Sequence, residues 1–342
     1  MNPSHIGTIA RLELTQRLRS AGWYVLLGCF ALILLAVTAY SFVAYSYGDA
    51  MGAGVFSIVV NTVLLLVVLV SPTLSGNAIN GDRDAATLAA VQVTAASTGD
   101  IMIGKLVAAV ATGGAFLVVA VPFMAVSLIG GGAHPATLAV SLLVLAIEII
   151  IVAAVGVGFS GLIARPLFSV AATYLVVAAL TIGTLIAFGL GGAAFRTEIT
   201  TQTRPYDSTG NVVCDRWDTY TSEMPRFDQV WWVLSANPFV VLADATPTSF
   251  DAYGYPQDMF GQIKFGVRSA QLPPSPYPQW DECHPNRPRE EPPTAQEVID
   301  STVPSWFVGL GIQIVIAGSL FAGAWARTRT PARMLPPGTR VA

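Results

Sequence analysis

Only 11% of the 342 residues are charged, against about 25% in an ordinary soluble domain. With 53% hydrophobic residues, such a chain cannot be a single water-exposed globule. Histidine and cysteine are scarce too, at three each. No His/Cys/carboxylate cluster with metal-ligand spacing can be drawn from them, and no nucleophile elbow is present. One apparent motif misleads. Gly99-Asp-Ile-Met-Ile-Gly104-Lys105 fits GxxxxGK, but Leu106 stands where a magnesium-binding Ser or Thr belongs and no strand precedes it. The sequence therefore shows no catalytic equipment of its own, and no cofactor is expected in this chain. With a net charge of -3, it offers no general basic footprint for nucleic acid.

What is abundant is apolar sequence in separate runs of the length a helix needs to cross about 30 Å of hydrocarbon. Spans are expected at 22–45, 54–76, 106–130, 137–163, 167–193 and 305–326. The expected fold is an all-α membrane protein of six transmembrane helices with a large extracytoplasmic loop domain between the fifth and sixth. Only Ala164, Arg165 and Pro166 separate spans four and five, so these two form a hairpin with its turn at the membrane surface. The first run is too long for the apolar part of a signal peptide and lacks a small-residue cleavage pattern after it, so it is retained as a span.

Orientation follows from the basic residues. Placing the N-terminus in the cytoplasm puts Arg11, Arg17, Arg19, Arg83, Lys105, Arg165, Arg327, Arg329, Arg333 and Arg340 there, and none in the short opposite loops at 46–53 and 130–136. Both termini, 1–21 and 327–342, are then cytoplasmic, and the expected location is a bacterial cell membrane.

The 194–304 segment holds the other eight basic residues, 15 carboxylates and most of the prolines, so it reads as an extracytoplasmic domain of its own with an irregular second half. Within it, residues 228–244 are apolar but short and broken at Asn237-Pro238. That suits a re-entrant or interfacial element with Trp231 and Trp232 at headgroup level, or equally a core helix of the loop domain. Cys214 and Cys283 lie in the same segment. In an oxidising compartment they read as a disulfide closing a loop of about 70 residues, worth about 4 kcal/mol on the chain-entropy argument. A metal site of Cys214, Cys283 and His284 is the alternative; Cys29, in the first span, reads as a small buried apolar residue.

The loop at 77–105 between spans two and three carries Asp82-Arg83, Thr87-Leu88, Thr94, Ser97 and Gly104-Lys105. This pattern resembles the type-2 ABC exporter permease family, whose usual sequence here has an acidic-Arg pair, Gly-Thr-Leu, Thr-Pro, Ser and Gly-Lys. Ala86 and Ala95 depart from it. Arg11-Leu-Glu13, Arg17 and Trp23 before the first span also look like that family, as does the six-span layout, but the 194–304 segment does not. The resemblance implies a short coupling helix around 82–97 that docks into a separate ATPase subunit, with Asp82, Arg83, Thr87, Leu88, Thr94, Ser97 and Lys105 as coupling residues. It also implies a second permease, identical or related, and ATP and Mg bound only by the partner. Residues 1–21 are expected to form a connecting helix on the inner leaflet, with Ile6, Ile9, Ala10, Leu14 and Leu18 on one face.

Inside the bilayer, Glu148 is the one acidic residue placed well within a span, and Asn61 is its candidate partner. An ionisable group there is the default functional candidate or a structural hydrogen-bonding group. The expected function is the permease subunit of an ATP-driven exporter for hydrophobic or amphipathic drugs, lipids or peptides. A proton-driven secondary transporter using Glu148, or a membrane-anchored sensor or assembly factor, is the alternative.

Overall fold

The computed structural model of the protein describes residues 1–46, 51–84, 97–130, 134–275, 283 and 292–328. It is mostly helical, and six helices are long and apolar enough to cross a membrane. The first is α2 (Ala21–Ala44), preceded by α1 (Pro3–Leu18). The second is α3 (Met51–Ser75), continued through a turn into the short α4 (Asn80–Asp84). The third and fourth are α5 (Thr98–Ser127) and α6 (Pro135–Leu162). The fifth is α7 (Pro166–Ala178), a π-helical turn at Ala179–Gly183 and α8 (Thr184–Ala194). The sixth, α13 (Trp306–Thr328), follows the long connection.

Pro166 starts α7 at its first position, where a missing N–H costs nothing, so spans four and five form the expected tight hairpin. The third span starts earlier than expected, at Thr98 rather than 106. Ser97 caps it: its hydroxyl accepts from Asp100 N while the Asp100 carboxylate accepts from Ser97 N. Lys105 therefore lies within the helix and not at its threshold.

Small residues set the closest packing. A Cβ on Gly158 would stand 3.0 Å from the Leu320 backbone, and one on Gly161 would stand 2.6 Å from Ala324 Cβ. Span four thus lies directly on the last span, as small-residue faces permit in lipid. A Cβ on Gly99 would meet Trp325 at 2.8 Å and Met1 at 3.4 Å. The chain start, the beginning of α5 and the end of α13 therefore share one end of the bundle.

The long connection differs from an all-α reading and from a separate domain. It opens with an antiparallel hairpin, β1 (Arg196–Thr203) and β2 (Asp218–Pro225), paired from Arg196↔Pro225 to Thr203↔Asp218. The β-branched runs Thr197-Glu-Ile-Thr-Thr and Thr219-Tyr-Thr favour it. Then α9 (Trp231–Ser235) and α10 (Pro238–Ala245) turn back at Ala236-Asn237, followed by α11 (Met259–Ser269) and α12 (Ala295–Ser301).

Val241, Leu242, Ala243 and Phe260 belong to the same buried core as Phe56, Phe116 and Ile149 of the spans, so this half of the connection is built into the bundle. The Ala236-Asn237 turn reaches well inside. Asn237 Nδ2 donates to Thr181 O at 2.7 Å and to Thr184 Oγ1 at 3.1 Å, about 15 Å along the helix from Ala194. Gln313 Nε2 donates to Ala236 O at 3.0 Å, about 10 Å from the start of α13. The 231–245 segment thus docks between the helices of the bundle, with Trp232 half exposed.

A buried ion pair joins this element to the last span. Asp244 and Arg268, at 3% and 4% exposure, meet at 2.8 Å. Arg268 Nη1 also donates to Thr302 O at 2.7 Å, while Asp244 Oδ2 accepts from Ser305 N, Ser305 Oγ and Trp306 N. Beside it Lys264 Nζ donates to Thr246 O at 2.7 Å, and burial lowers the Lys264 ammonium from its usual range. Cys214 and Cys283 are joined, with Cα atoms 5.7 Å apart. This excludes the alternative of a metal site built on their thiolates.

Replacing Arg268 with Met should destabilise the protein by about 3–5 kcal/mol, the cost of stranding a buried charge, read as lost thermal stability in detergent; a change no larger than that of an exposed arginine would contradict this role. The double substitution of Cys214 and Cys283 by serine should insert normally and leave the bundle intact, while limited proteolysis of the 204–217 region accelerates several-fold.

Candidate functional site

The end of the bundle that carries the chain start holds a connected set of buried polar side chains, among them Asn80, Asp100, Lys105, Ser160 and Ser169. The chain leaves span two at Ser75 and is captured at once by the turn between spans four and five. Ser160 Oγ accepts from Ile79 N at 2.8 Å and Asn80 N at 3.1 Å. Asn80 Nδ2 donates to Ile163 O at 2.6 Å and Ser169 Oγ at 3.2 Å, and the Ser169 hydroxyl donates to Gly76 O. These bonds seat α4 on the hairpin turn.

On its other side α4 meets the third span. Asp82 lies 2.6 Å from Lys105 Nζ, and the same ammonium pairs with Glu13 of α1. Lys105 is only 2% exposed, so one buried cation joins α1, α4 and α5.

Two further latches hold α1. Near its start, Asn2 N donates to Asp100 Oδ1 at 2.8 Å, and His5 Nδ1 stands 3.6 Å from Asp100 Oδ2. Near its end, Arg17 donates to Thr112 Oγ1 at 2.6 Å and to Leu74 O at 2.8 Å; burial lowers its guanidinium from the usual range, and Glu13 opposes that shift. Between the latches, Gly104 lets the helices touch: a Cβ there would lie 2.9 Å from Ile9. A cleft of about 420 Å³ remains between α1 and the end of span two, lined by Glu13, Gln16, Arg17, Asn77, Gly81 and Asp82.

Of the residues singled out from the sequence, Asp82, Ser97 and Lys105 come together here. Lys105 acts as a buried tie and not as a loop side chain, and Ser97 as a helix cap. Thr87, Leu88, Thr94 and the side chain of Arg83 lie outside the described residues. The GxxxxGK pattern has a packing explanation: Gly99 and Gly104 make room for Trp325 and Ile9, and Lys105 is held by carboxylates. Along α1, Ala10 is buried as expected, but Leu18 is exposed and Arg17 turns inward. The roles of Glu13, Asn80, Ser160 and Ser169 escaped the sequence reading, because each depends on a contact distant in sequence.

In the bundle interior, Glu148 is 1% exposed and Asn61 7%. Asn61 Nδ2 donates to Ser57 O one turn away, and no hydrogen bond joins it to Glu148. The group facing the Glu148 carboxyl is the amide of Gln313 on the last span. Among the described residues, no group of three or more His, Cys, Asp or Glu side chains is placed to hold a metal ion.

No protein-family model matches the chain, and no curated protein matches it.

Lys105→Met should leave Glu13 and Asp82 facing each other without a cation. We expect a loss of about 3–5 kcal/mol and release of α1, read as protease cleavage within 3–18; restoration of resistance by adding Glu13→Gln and Asp82→Asn would attribute the effect to stranded charge.

Proposed function

We propose that this chain is the membrane-spanning permease subunit of an ATP-driven exporter, moving a hydrophobic or amphipathic substrate and coupling to a separate ATPase subunit. The observation that carries this reading is the double anchoring of α4. Asn80 ties the base of the 82–97 segment to spans four and five, and the Asp82–Lys105–Glu13 cluster ties it to α1 and span three. A push on that segment is therefore delivered to four elements at once, which a solvated connecting loop would not need.

The resemblance of Asp82-Arg83, Thr87-Leu88, Thr94, Ser97 and Gly104-Lys105 to exporter permeases supports the same assignment, and the cleft beside α1 gives an ATPase a shaped surface. The basic residues at this end favour a cytoplasmic position for it by the positive-inside rule, and on that reading the long connection and its disulfide are on the outer side. Spans one and five are among the least buried in the single chain, leaving apolar faces for lipid or for a second permease. ATP and Mg belong to the partner; this chain contributes the pathway wall and the lever.

Arg83→Glu tests the coupling assignment. Reversing a charge at a docking surface should weaken binding of the ATPase subunit by about tenfold, or 1.4 kcal/mol, and suppress its stimulation while membrane insertion is unchanged. Unaltered stimulation and transport would count against the site. Substrate movement by the purified chain alone, without an ATPase and driven by a proton gradient, would instead favour a secondary transporter.

A further inference from the structure

The Glu148 and Gln313 pair sits at the centre of the bundle with a specific imbalance. Both carboxyl oxygens of Glu148 and Oε1 of Gln313 are buried without a hydrogen-bond partner, while Gln313 Nε2 is committed to Ala236 O at 3.0 Å. Three acceptor oxygens thus lie buried around one contact, where each orphan costs free energy and a bare carboxylate costs most. The elements packed against α6 are α3, α5, α7, α10 and α13. Their charged side chains are Asp100, Lys105, Asp244 and Arg327. Asp100, Lys105 and Asp244 are bound elsewhere, at the two ends of the bundle, and Arg327 lies in the last turn of α13, so none answers Glu148.

We propose that this site holds a proton: Glu148 is a neutral carboxylic acid whose O–H donates to Gln313 Oε1, while the second Gln313 N–H returns to the other carboxyl oxygen. A protonated carboxyl is the side chain that both donates and accepts at one face. The two-point acid–amide pair supplies all three orphan oxygens with partners and leaves Ala236 O held. It locks span four to span six, and through Gln313 it fixes the Ala236-Asn237 turn. Glu148 is on this account a positioning residue, and the inference stands apart from the exporter assignment.

Infrared spectroscopy of the detergent-solubilised protein at neutral pH provides the test. Wild type should show a carboxylic-acid carbonyl band that disappears in Glu148→Gln. That variant keeps a donor and an acceptor at the same face and should melt with wild type, whereas Glu148→Ala and Gln313→Leu should melt several degrees lower.

Absence of the acid band in wild type overturns the proposal. So does a melting point that rises in sodium chloride over choline chloride for wild type but not for Glu148→Gln, which would place a cation between the oxygens. A Glu148→Gln variant that melts as low as Glu148→Ala overturns it as well. Should the alanine variant fail to fold, the infrared comparison of wild type with Glu148→Gln still decides.

Discussion

Asp244 turns its two carboxylate oxygens to different tasks. Oδ1 takes the Arg268 guanidinium, and Oδ2 takes Ser305 N, Ser305 Oγ and Trp306 N. The second set lies where α13 begins, so a carboxylate carried by α10 occupies the position favoured at a helix N-terminus. The last span thus cannot set its depth independently of α10 and α11. Its neighbours then follow: Gly309 admits α10, since a Cβ there would stand 2.6 Å from Val241 Cγ2, while Gly158 and Gly161 receive Leu320 and Ala324.

The opposite end solves a similar problem with a cation. Lys105 lies inside an apolar helix, a placement tolerated because two carboxylates from other elements reach it. Among the described residues, each end of the bundle therefore carries a buried charge cluster that joins a neighbouring segment to a span.

The spans were legible because their signal is local: length and hydropathy alone identify an element that must answer its own backbone in hydrocarbon. Arg165-Pro166 was legible for the same reason, and the cysteine pair from count and setting. The start of the third span was not. Lys105 reads as a boundary until Glu13, 92 residues away, is known to neutralise it, and no local pattern announces such a pair. Gln313 was overlooked beside Glu148 because the sequence argument looked for ionisable groups within the spans, and an amide carries no charge. The hairpin at 196–225 was masked by its charged and proline-rich surroundings, although its β-branched alternation was readable. Asn237-Pro238 showed a break without showing what the break would touch.

The π-helical turn at Ala179–Gly183 amounts to one residue more than an α-helix would place there. It rotates everything from Thr184 onward by roughly 100° relative to an uninterrupted helix. That rotation aims Thr184 at Asn237 and sets Phe188 against Phe227, whose ring centroids are 4.9 Å apart. Span length is thus a register as well as a distance. A single-residue deletion in this stretch would still leave enough apolar sequence to cross the bilayer, yet it would turn the second half of the helix away from the element it docks. Among sequences of this architecture, insertions and deletions in span five would consequently be selected by angle before they are selected by thickness.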